Sequence, residues 1–412
     1  MAGQPDRRPV LVLVRTLVQP YREYLLASLA PRYRIWLLQD EEPGWARPYL
    51  ADWAVLDPLN PAALLAAARG LDAAGVLCWD ETTLEAAAGL ARALGLPGAD
   101  PAAVRRCRDK HLTRRALDTA GVPQARSAAV ATAAQARAAA DRIGYPVVVK
   151  PRALSGSYGV VRVDGPGELA AAVRHARAAS MPGVPAEAAP VLVEEHLDGP
   201  EVSVDSAVVD GQVTPLAVAR KELGYPPYFE EVGHLVDAAD PLLGSPRLRA
   251  VLQAAHDAVD FRTGWTHVEF RLVGGEPRLV EINARLGGDL IPYLGWQATG
   301  IDPGLVAAAV ATGQPPRPAP TRSRAAGVRF LYPAGEVVVG AVRVGAALPA
   351  AVDRAVALAA PGQRIAPPPA GHVFGRYGYV TAVADTVAEC RAALDAAAAA
   401  VRLEPAAVGT PR

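Results

Sequence analysis

The chain has 412 residues, 51% of them apolar and 20% charged, the balance of a soluble globular protein long enough for several domains. Lys plus Arg equals Asp plus Glu at 42 each, so no net charge draws it to nucleic acid or to an anionic membrane. Cys78, Cys107 and Cys390 are scattered, form no CxxC and suit a reducing, cytoplasmic setting; the first apolar run, 9–14, is too short to span a membrane, and no signal peptide is evident.

Over residues 1–100, short apolar runs at 10–14, 33–38, 53–56 and 75–79 alternate with helical patterns near 20–29, 61–69 and 83–94. That rhythm predicts βαβ units on an open parallel sheet. No GxGxxG follows the first strand, so no dinucleotide site is read there. Asp80-Glu81-Thr82 stands at a strand end, where open α/β sheets place ligands. A plain N-cap for the next helix accounts for it equally.

Asp100-Pro101 opens a helix with a carboxylate cap and a proline in the first turn, and Asn60-Pro61, Ser245-Pro246 and Asp302-Pro303 repeat the device. The helix from 101 to about 120 carries Arg105, Arg106, Arg108, Lys110, His111, Arg114 and Arg115, with Arg106, Lys110 and Arg114 along one face. Such a run is ordinarily a solvated face; the other reading has one member reaching a phosphate. Thr132 and Gln135 have capping-box spacing for a helix at 132–143. A buried strand at 147–149 then ends on Lys150, followed by the small-residue loop Ser155-Gly156-Ser157-Tyr158-Gly159. Glycines let backbone N–H groups approach phosphate oxygens while the lysine neutralises charge. The lysine precedes the glycines, so this is not a Walker A loop, and an ordinary hairpin loop remains the alternative.

A helix at 168–179 leads into a Pro/Ala-rich loop at 180–190. Residues 191–205, with Glu194, Glu195, His196, Leu197 and Glu201, read as strand, turn, strand. An apolar edge there suits an adenine ring and Glu201 suits ribose hydroxyls; the alternative is a plain hairpin with solvated acids. A strand at 213–221 runs into an aromatic loop, 223–234, holding Tyr225, Tyr228, Phe229, Glu230, Glu231 and His234. It reads either as a lid over a small molecule or as a loop packed by its own aromatics. A helix at 246–259 follows.

Two strand-like runs, 267–272 and 278–284, flank the turn-rich 273–277, and alternation places Glu281, Asn283 and Arg285 on one face. A two-residue Gly-Gly turn would oppose Glu269 to Val280 and separate the carboxylates. A three- or five-residue loop opposes Glu269 to Glu281, and Pro277 favours the longer loop. Like charges so placed destabilise a hairpin. The expected compensation is a divalent cation, since two carboxylates and an amide oxygen are hard ligands that suit Mg²⁺, with Arg285 holding an anion alongside. A surface hairpin with solvated charges is the alternative. Beyond lie a helix at 303–312, a Pro/Arg-rich linker at 313–324 and an α+β module with strands at 327–332, 337–344 and 376–384 and a helix at 387–401. A disordered tail is expected over 405–412.

Together these segments resemble the ATP-grasp superfamily over roughly residues 100–312. The resemblance rests on Asp109-Lys110, Lys150 with the 155–159 loop, Glu194-Glu195-His196-Leu197 with Glu201, and Glu269 with Glu281-Ile282-Asn283-Ala284-Arg285. It implies a multidomain α/β and α+β fold: an open parallel α/β domain (1–100), an ATP-grasp of two α+β subdomains (101–312) and a small lid-like α+β domain (325–412). By the same resemblance, Lys110 and Lys150 contact ATP phosphates, Ser155, Gly156, Ser157 and Gly159 cover them, the backbone around Glu194, Glu195 and Leu197 holds adenine, and Glu201 holds ribose. Glu269, Glu281 and Asn283 would bind Mg²⁺ or Mn²⁺, usually two ions, and Arg285 would stabilise the phosphoryl group or a substrate carboxylate.

Within the superfamily, the segment from Lys221 to His234 and Asn283-Ala284-Arg285-Leu286-Gly287-Gly288-Asp289 look most like dipeptide-forming L-amino-acid ligases and carnosine-synthase-type enzymes. That makes Glu231 and His234 candidates for a substrate amino group. Residues 325–412 also resemble the end domains of biotin-carboxylase-like and purine-biosynthetic members. The implied activity is ADP-forming ligation of a small carboxylate to an amine through an acylphosphate, with no nucleic acid or membrane partner and with a homodimer as the family's common state. The alternatives are a biotin-carboxylase-like enzyme using bicarbonate or formate and, more remotely, a non-catalytic nucleotide-binding protein.

Overall fold

A computed structural model describes residues 6–180 and 190–406; all but the two ends of the expected loop at 180–190, and all but the start of the expected tail, lie outside them. The first hundred residues build a four-stranded parallel sheet in the order Asp52–Val55, Arg34–Gln39, Val10–Val14, Ala73–Cys78. Val10–Val14 is buried throughout, which is why it reads as an unbroken apolar run. Helices Gln19–Leu29, Pro61–Ala68 and Leu84–Ala93 alternate with these strands as expected. Among the described residues no helix is long and apolar enough to cross a membrane.

The cap–proline pairs start helices as read. Asn60, Asp100, Ser245 and Asp302 each accept a hydrogen bond from a backbone N–H of the following turn. Thr132 and Gln135 form the reciprocal capping box. The helix expected over 101–120 is instead two. Pro101–Arg108 ends at Asp109, whose extended backbone begins Lys110–Thr119. The Asp109 carboxylate accepts from the N–H groups of His111 and Leu112 and lies 2.5 Å from Arg152. An aspartate that offers its oxygen to the next turn favours restarting a helix over continuing one. The restart turns Lys110 and Arg114 inward, 6% and 5% exposed, so this part of the basic run is not a solvated face.

A small antiparallel sheet has the order Ser127–Val130, Val191–Glu195, Val147–Pro151, Val161–Val163. Helices Ala133–Ile143 and Leu169–Ala178 share its core. The large sheet is antiparallel, in the order Glu276–Asn283, Gly264–Val273, Glu201–Val209, Gln212–Gly224, Glu230–Asp237, Ala325–Leu331, Gly378–Ala384, Val352–Ala357. The strands after the 313–324 linker thus continue the central sheet. Val337–Val344 pairs separately with Arg364–Ile365 and Val401–Pro405. The stretch 191–205 is strand, turn, strand but not a hairpin: Val191–Glu195 lies in the small sheet and Glu201–Val209 in the large one, so the turn between them joins the two.

Alternation gives the large sheet two unlike faces. Val202, Val204, Val268, Phe270 and Ile282 pack in one core with the helix Pro246–Val259, each such side chain contributing about 1.5–3 kcal/mol. The opposite face carries Glu201, Ser203, Asp205, His267, Glu269, Glu281 and Asn283, the phase that period two requires.

Candidate active site

The acid-bearing hairpin closes on the two-residue turn Gly274-Gly275, both at positive φ (61° and 89°). The longer loop expected from Pro277 is not formed. Pro277 sits within the edge strand opposite Leu272, a place where its missing N–H is tolerated. As far as the Phe270–Leu279 pair, the register is the one that would oppose Glu269 to Val280. A bulge then takes up Val280, and Glu269 faces Glu281 after all. Arg114 donates to the Val280 carbonyl at 2.6 Å, satisfying the group that the bulge releases from the ladder.

A cleft of about 120 Å³ opens between the two antiparallel sheets. Its walls include Lys110, Lys150, Ser155, Gly156, Ser157, Glu194, Glu195, Leu197, Glu201, Glu231, Glu269, Glu281, Asn283 and Arg285. Gly159 is not among them. At φ +77° it packs so closely that a Cβ would stand 2.6 Å from Ala179 and 2.8 Å from Pro151. Lys110 Nζ donates to the Leu154 carbonyl at 2.5 Å and to Glu281 at 3.0 Å, tying the start of the loop to the acid face. Lys150 Nζ lies 2.6 Å from Glu194, which also accepts from Arg114 at 2.7 and 3.0 Å. Burial would raise the Glu194 carboxyl, but Arg114 and Lys150 outweigh it and hold it at about 2. The carboxylate is therefore structural, and Leu197 gives this stretch of the cleft wall an apolar side chain. Glu195 pairs outward with Arg126 and Arg278.

Lys221, assigned no role from the sequence, is buried amid acids: Glu231 at 2.6 Å, Glu269 at 2.8 Å and Glu201 at 3.5 Å. Oxygens of these three carboxylates lie within 4.8 Å of one another. Burial opposes the Lys221 charge, yet the acids raise its pKa well above the ordinary value. Glu269 is held well below the carboxylate range against burial by Lys221 and His267, whereas burial wins at Glu201 and raises it. His267 bridges Asp205 at 2.7 Å and Glu269 at 3.3 Å; these acids overcome burial and push it up to about 9. Glu269, Glu281 and Asn283 share one face and offer hard oxygen donors of the kind Mg²⁺ takes, while the carboxylates whose oxygens lie closest together are Glu201, Glu231 and Glu269.

A second cavity, about 300 Å³, shares Ser155, Gly156, Glu231, Glu269 and Arg285 with the first and reaches Tyr21, Arg22 and Trp79 of the parallel-sheet region. Arg285 meets Glu81 at 2.5 Å, so the 80–82 strand end faces the site. Glu231 and His234 stand on the strand Glu230–Asp237, not in a loop; the connection is confined to residues 225–229. Glu231 lines both cavities. His234 is buried 3.2 Å from Glu231 and 3.7 Å from Asp289, and it lines neither. Asp289 in turn takes two 2.7 Å hydrogen bonds from Arg376, which lies 3.6 Å over the Phe330 ring and donates to Tyr332. Lys221 could have been found as the residue in phase with Ala219 on its strand. Arg376 has no local signal, since its partner is 87 residues away.

Residues 143–293 match the family model of the ATP-grasp domain, and residues 329–405 match L-amino acid ligase C-terminal domain 2. Alanine–anticapsin ligase of Bacillus subtilis (strain 168) is 27% identical over 221 residues, 49% of this chain and 46% of that protein. D-alanine–D-alanine ligase of Stutzerimonas stutzeri (strain A1501) is 31% identical over 229 residues, 52% of this chain and 68% of that protein. The chain spans about half the length of several curated relatives it matches. The crystal structure of L-amino acid ligase from Bacillus licheniformis superposes with a TM-score of 0.80 at 21% identity, covering 98% of this chain and 100% of that one, a likeness of fold. The 31% identity to a relative of which this chain covers 68%, together with the matched ATP-grasp segment, shows that the chain belongs to the ATP-grasp family.

Proposed function

We propose that the protein is an ATP-dependent carboxylate–amine ligase that joins an amino acid or related acid to an amine or a second amino acid, releasing ADP and phosphate. The observation that carries this reading is the continuity of the two cavities through Ser155, Gly156, Glu231, Glu269 and Arg285. One is lined by lysines and small residues suited to a triphosphate, the other by acids and arginines suited to small zwitterions.

In this reading Lys110, Lys150 and the backbone of Ser155, Gly156 and Ser157 bind the phosphates. The Glu195–Leu197 backbone takes adenine and Glu201 the ribose. Gly159 acts indirectly, by letting the loop fold onto Pro151. Glu269, Glu281 and Asn283 hold Mg²⁺, whose charge offsets that of the phosphate oxygens. Arg285 orients the substrate carboxylate, whose oxygen attacks the γ-phosphorus as the bond to ADP breaks. The amine then attacks the acyl carbon of the acylphosphate, the C–N bond forms, phosphate leaves and the amine loses a proton. Glu231 faces the ammonium group, with His234 as a positioning residue behind it. No covalent protein nucleophile is required. A second cavity of this size, walled by Tyr21 and Trp79, is oversized for bicarbonate or formate and favours the amino-acid reading over a carboxylase.

The test is ADP release with Mg·ATP against pooled amino acids, with product mass and Glu281→Ala in parallel. ADP release that needs two amino acids, gives their summed mass less water and vanishes in the variant supports the reading. Turnover with bicarbonate or formate instead rejects the dipeptide assignment, and loss of all metal-dependent ATP binding in the unmodified protein rejects the ligase.

A further inference from the structure

A ligase that joins two amino acids handles two carboxylates. One is activated; the other must be held, unreacted, away from the phosphates. A carboxylate leaving water needs a cation or strong donors; the reading above commits Lys110 and Lys150 to the phosphates and Arg285 to the activated carboxylate, and each of them already has an acid partner. Lys150 is held by Glu194, Lys110 by Glu281, Lys221 by three acids and Arg285 by Glu81.

Arg22 is different. It projects from the helix Gln19–Leu29, is 5% exposed and lines the second cavity. Its Nη2 donates to the Gly287 carbonyl at 3.2 Å, its Nη1 to the neighbouring Tyr21 carbonyl at 3.3 Å, and its buried Nε has no partner. Among the described residues no carboxylate forms an ion pair with it. Burial accordingly draws its pKa down. A buried guanidinium without a counter-ion is destabilising in the folded chain and gains a partner only when an anion arrives. Its bond to Gly287 sets it two residues past Arg285, beside Gly288, where a Cβ would meet nothing within 4 Å. The lining of the cavity thus includes a cation with no ion pair, Arg22, the acids Glu231 and Asp289, and the apolar side chains of Leu17, Val18 and Trp79.

We propose that Arg22 binds the retained carboxylate of the amine-donating substrate, which makes that substrate an amino acid and not a simple amine. The ammonium end then faces Glu231 and Asp289. This inference rests on the ligase reading and deepens it.

The test uses binding as well as turnover. The full chain, with Mg²⁺ and a non-hydrolysable ATP analogue, is titrated calorimetrically with each of the twenty proteinogenic amino acids and with the amide of each that binds, for wild type, Arg22→Met and Arg22→Lys. At least one amino acid is expected to bind tenfold or more tighter than its amide. Arg22→Met removes that ratio while leaving the amide within twofold, and Arg22→Lys restores part of it. Because an unpaired buried charge is removed, Arg22→Met melts at or above the wild-type temperature; should it melt lower, the comparison of acid with amide in Arg22→Lys carries the test. In turnover, the amino acid whose KM rises in the variants is the C-terminal residue of the product. An unchanged ratio, an equal loss for acid and amide, a KM effect confined to the N-terminal residue, or no amino-acid binding to wild type overturns the proposal. If wild type releases ADP with two amino acids but Arg22→Met behaves like it, the ligase stands and the role of Arg22 falls. If the ratio is lost in Arg22→Met but no amino acids support ADP release, the ligase reading falls and takes the substrate role with it.

Discussion

Glu194→Gln tests whether the ion pairs behind the nucleotide cleft outweigh the burial they require. The Glu194 side chain is 4% exposed and is held by Arg114 at 2.7 Å and Lys150 at 2.6 Å. Burial pushes its carboxyl upward; the two cations more than reverse this and bring it from 4.5 to about 2. A carboxyl whose pKa is depressed on folding stabilises the fold above the unfolded pKa, and that contribution is lost as pH falls through the folded pKa. A drop of this size is worth about 3 kcal/mol at pH 7, at about 1.4 kcal/mol per unit. At pH 3 only about 1.5 kcal/mol of it survives. Glutamine cannot ionise and leaves two buried cations beside a neutral amide, for which breaking a buried pair independently suggests about 3–5 kcal/mol. Urea unfolding followed by tryptophan fluorescence at pH 7, 5, 4 and 3 reads both effects. The expected result is a deficit of about 3 kcal/mol in the variant at pH 7, narrowing by about half at pH 3. A deficit below about 1 kcal/mol at pH 7, or one that does not change with pH, would refute the reasoning.

Other substitutions probe the remaining parts. Glu281→Ala should abolish metal-dependent ADP release and also lower the melting temperature, because it leaves buried Lys110 with the Leu154 carbonyl but no carboxylate; thermal melting beside the ADP assay, run below the variant's melting temperature, checks both. Gly159→Ala should lower stability by about 1–3 kcal/mol, since a Cβ there collides with Ala179 and Pro151. Gly156→Ala, with only Val373 at 4.0 Å, should cost about 1 kcal/mol from its positive φ alone, so the ranking of the two in thermal denaturation is the test. Asp302→Ala removes a helix cap and the acceptor of a 2.8 Å bond from Ser28, and should cost about 1–2 kcal/mol by urea unfolding. Arg376→Met strips the cation that holds Asp289 far below its usual range against burial. Stability should fall by about 3–5 kcal/mol at pH 7, with a smaller loss at acid pH, where Asp289 can take a proton; a loss equal at both pH values would contradict this.

The local sequence of this protein determined whatever depends on neighbours within a turn or a strand. Asn60, Asp100, Ser245 and Asp302 began helices because cap and proline act on the next three residues. The strand that carries Lys150, which runs one residue further than expected, to Pro151, and Glu281 in phase with Asn283 were readable because period two is a local property. Tertiary structure decided what hangs on partners far along the chain. Whether Glu269 would face Glu281 turned on a one-residue bulge at Val280, whose freed carbonyl is satisfied by Arg114, 166 residues earlier. Lys110 and Arg114 became interior cations because Glu281 and Glu194 came to meet them. A buried charge is tolerable only where its counter-ion arrives, and that is a fact of the assembled fold, invisible in a run of basic residues. The same holds for Lys221 among three acids and for Arg376 reaching Asp289 from just before the strand Gly378–Ala384.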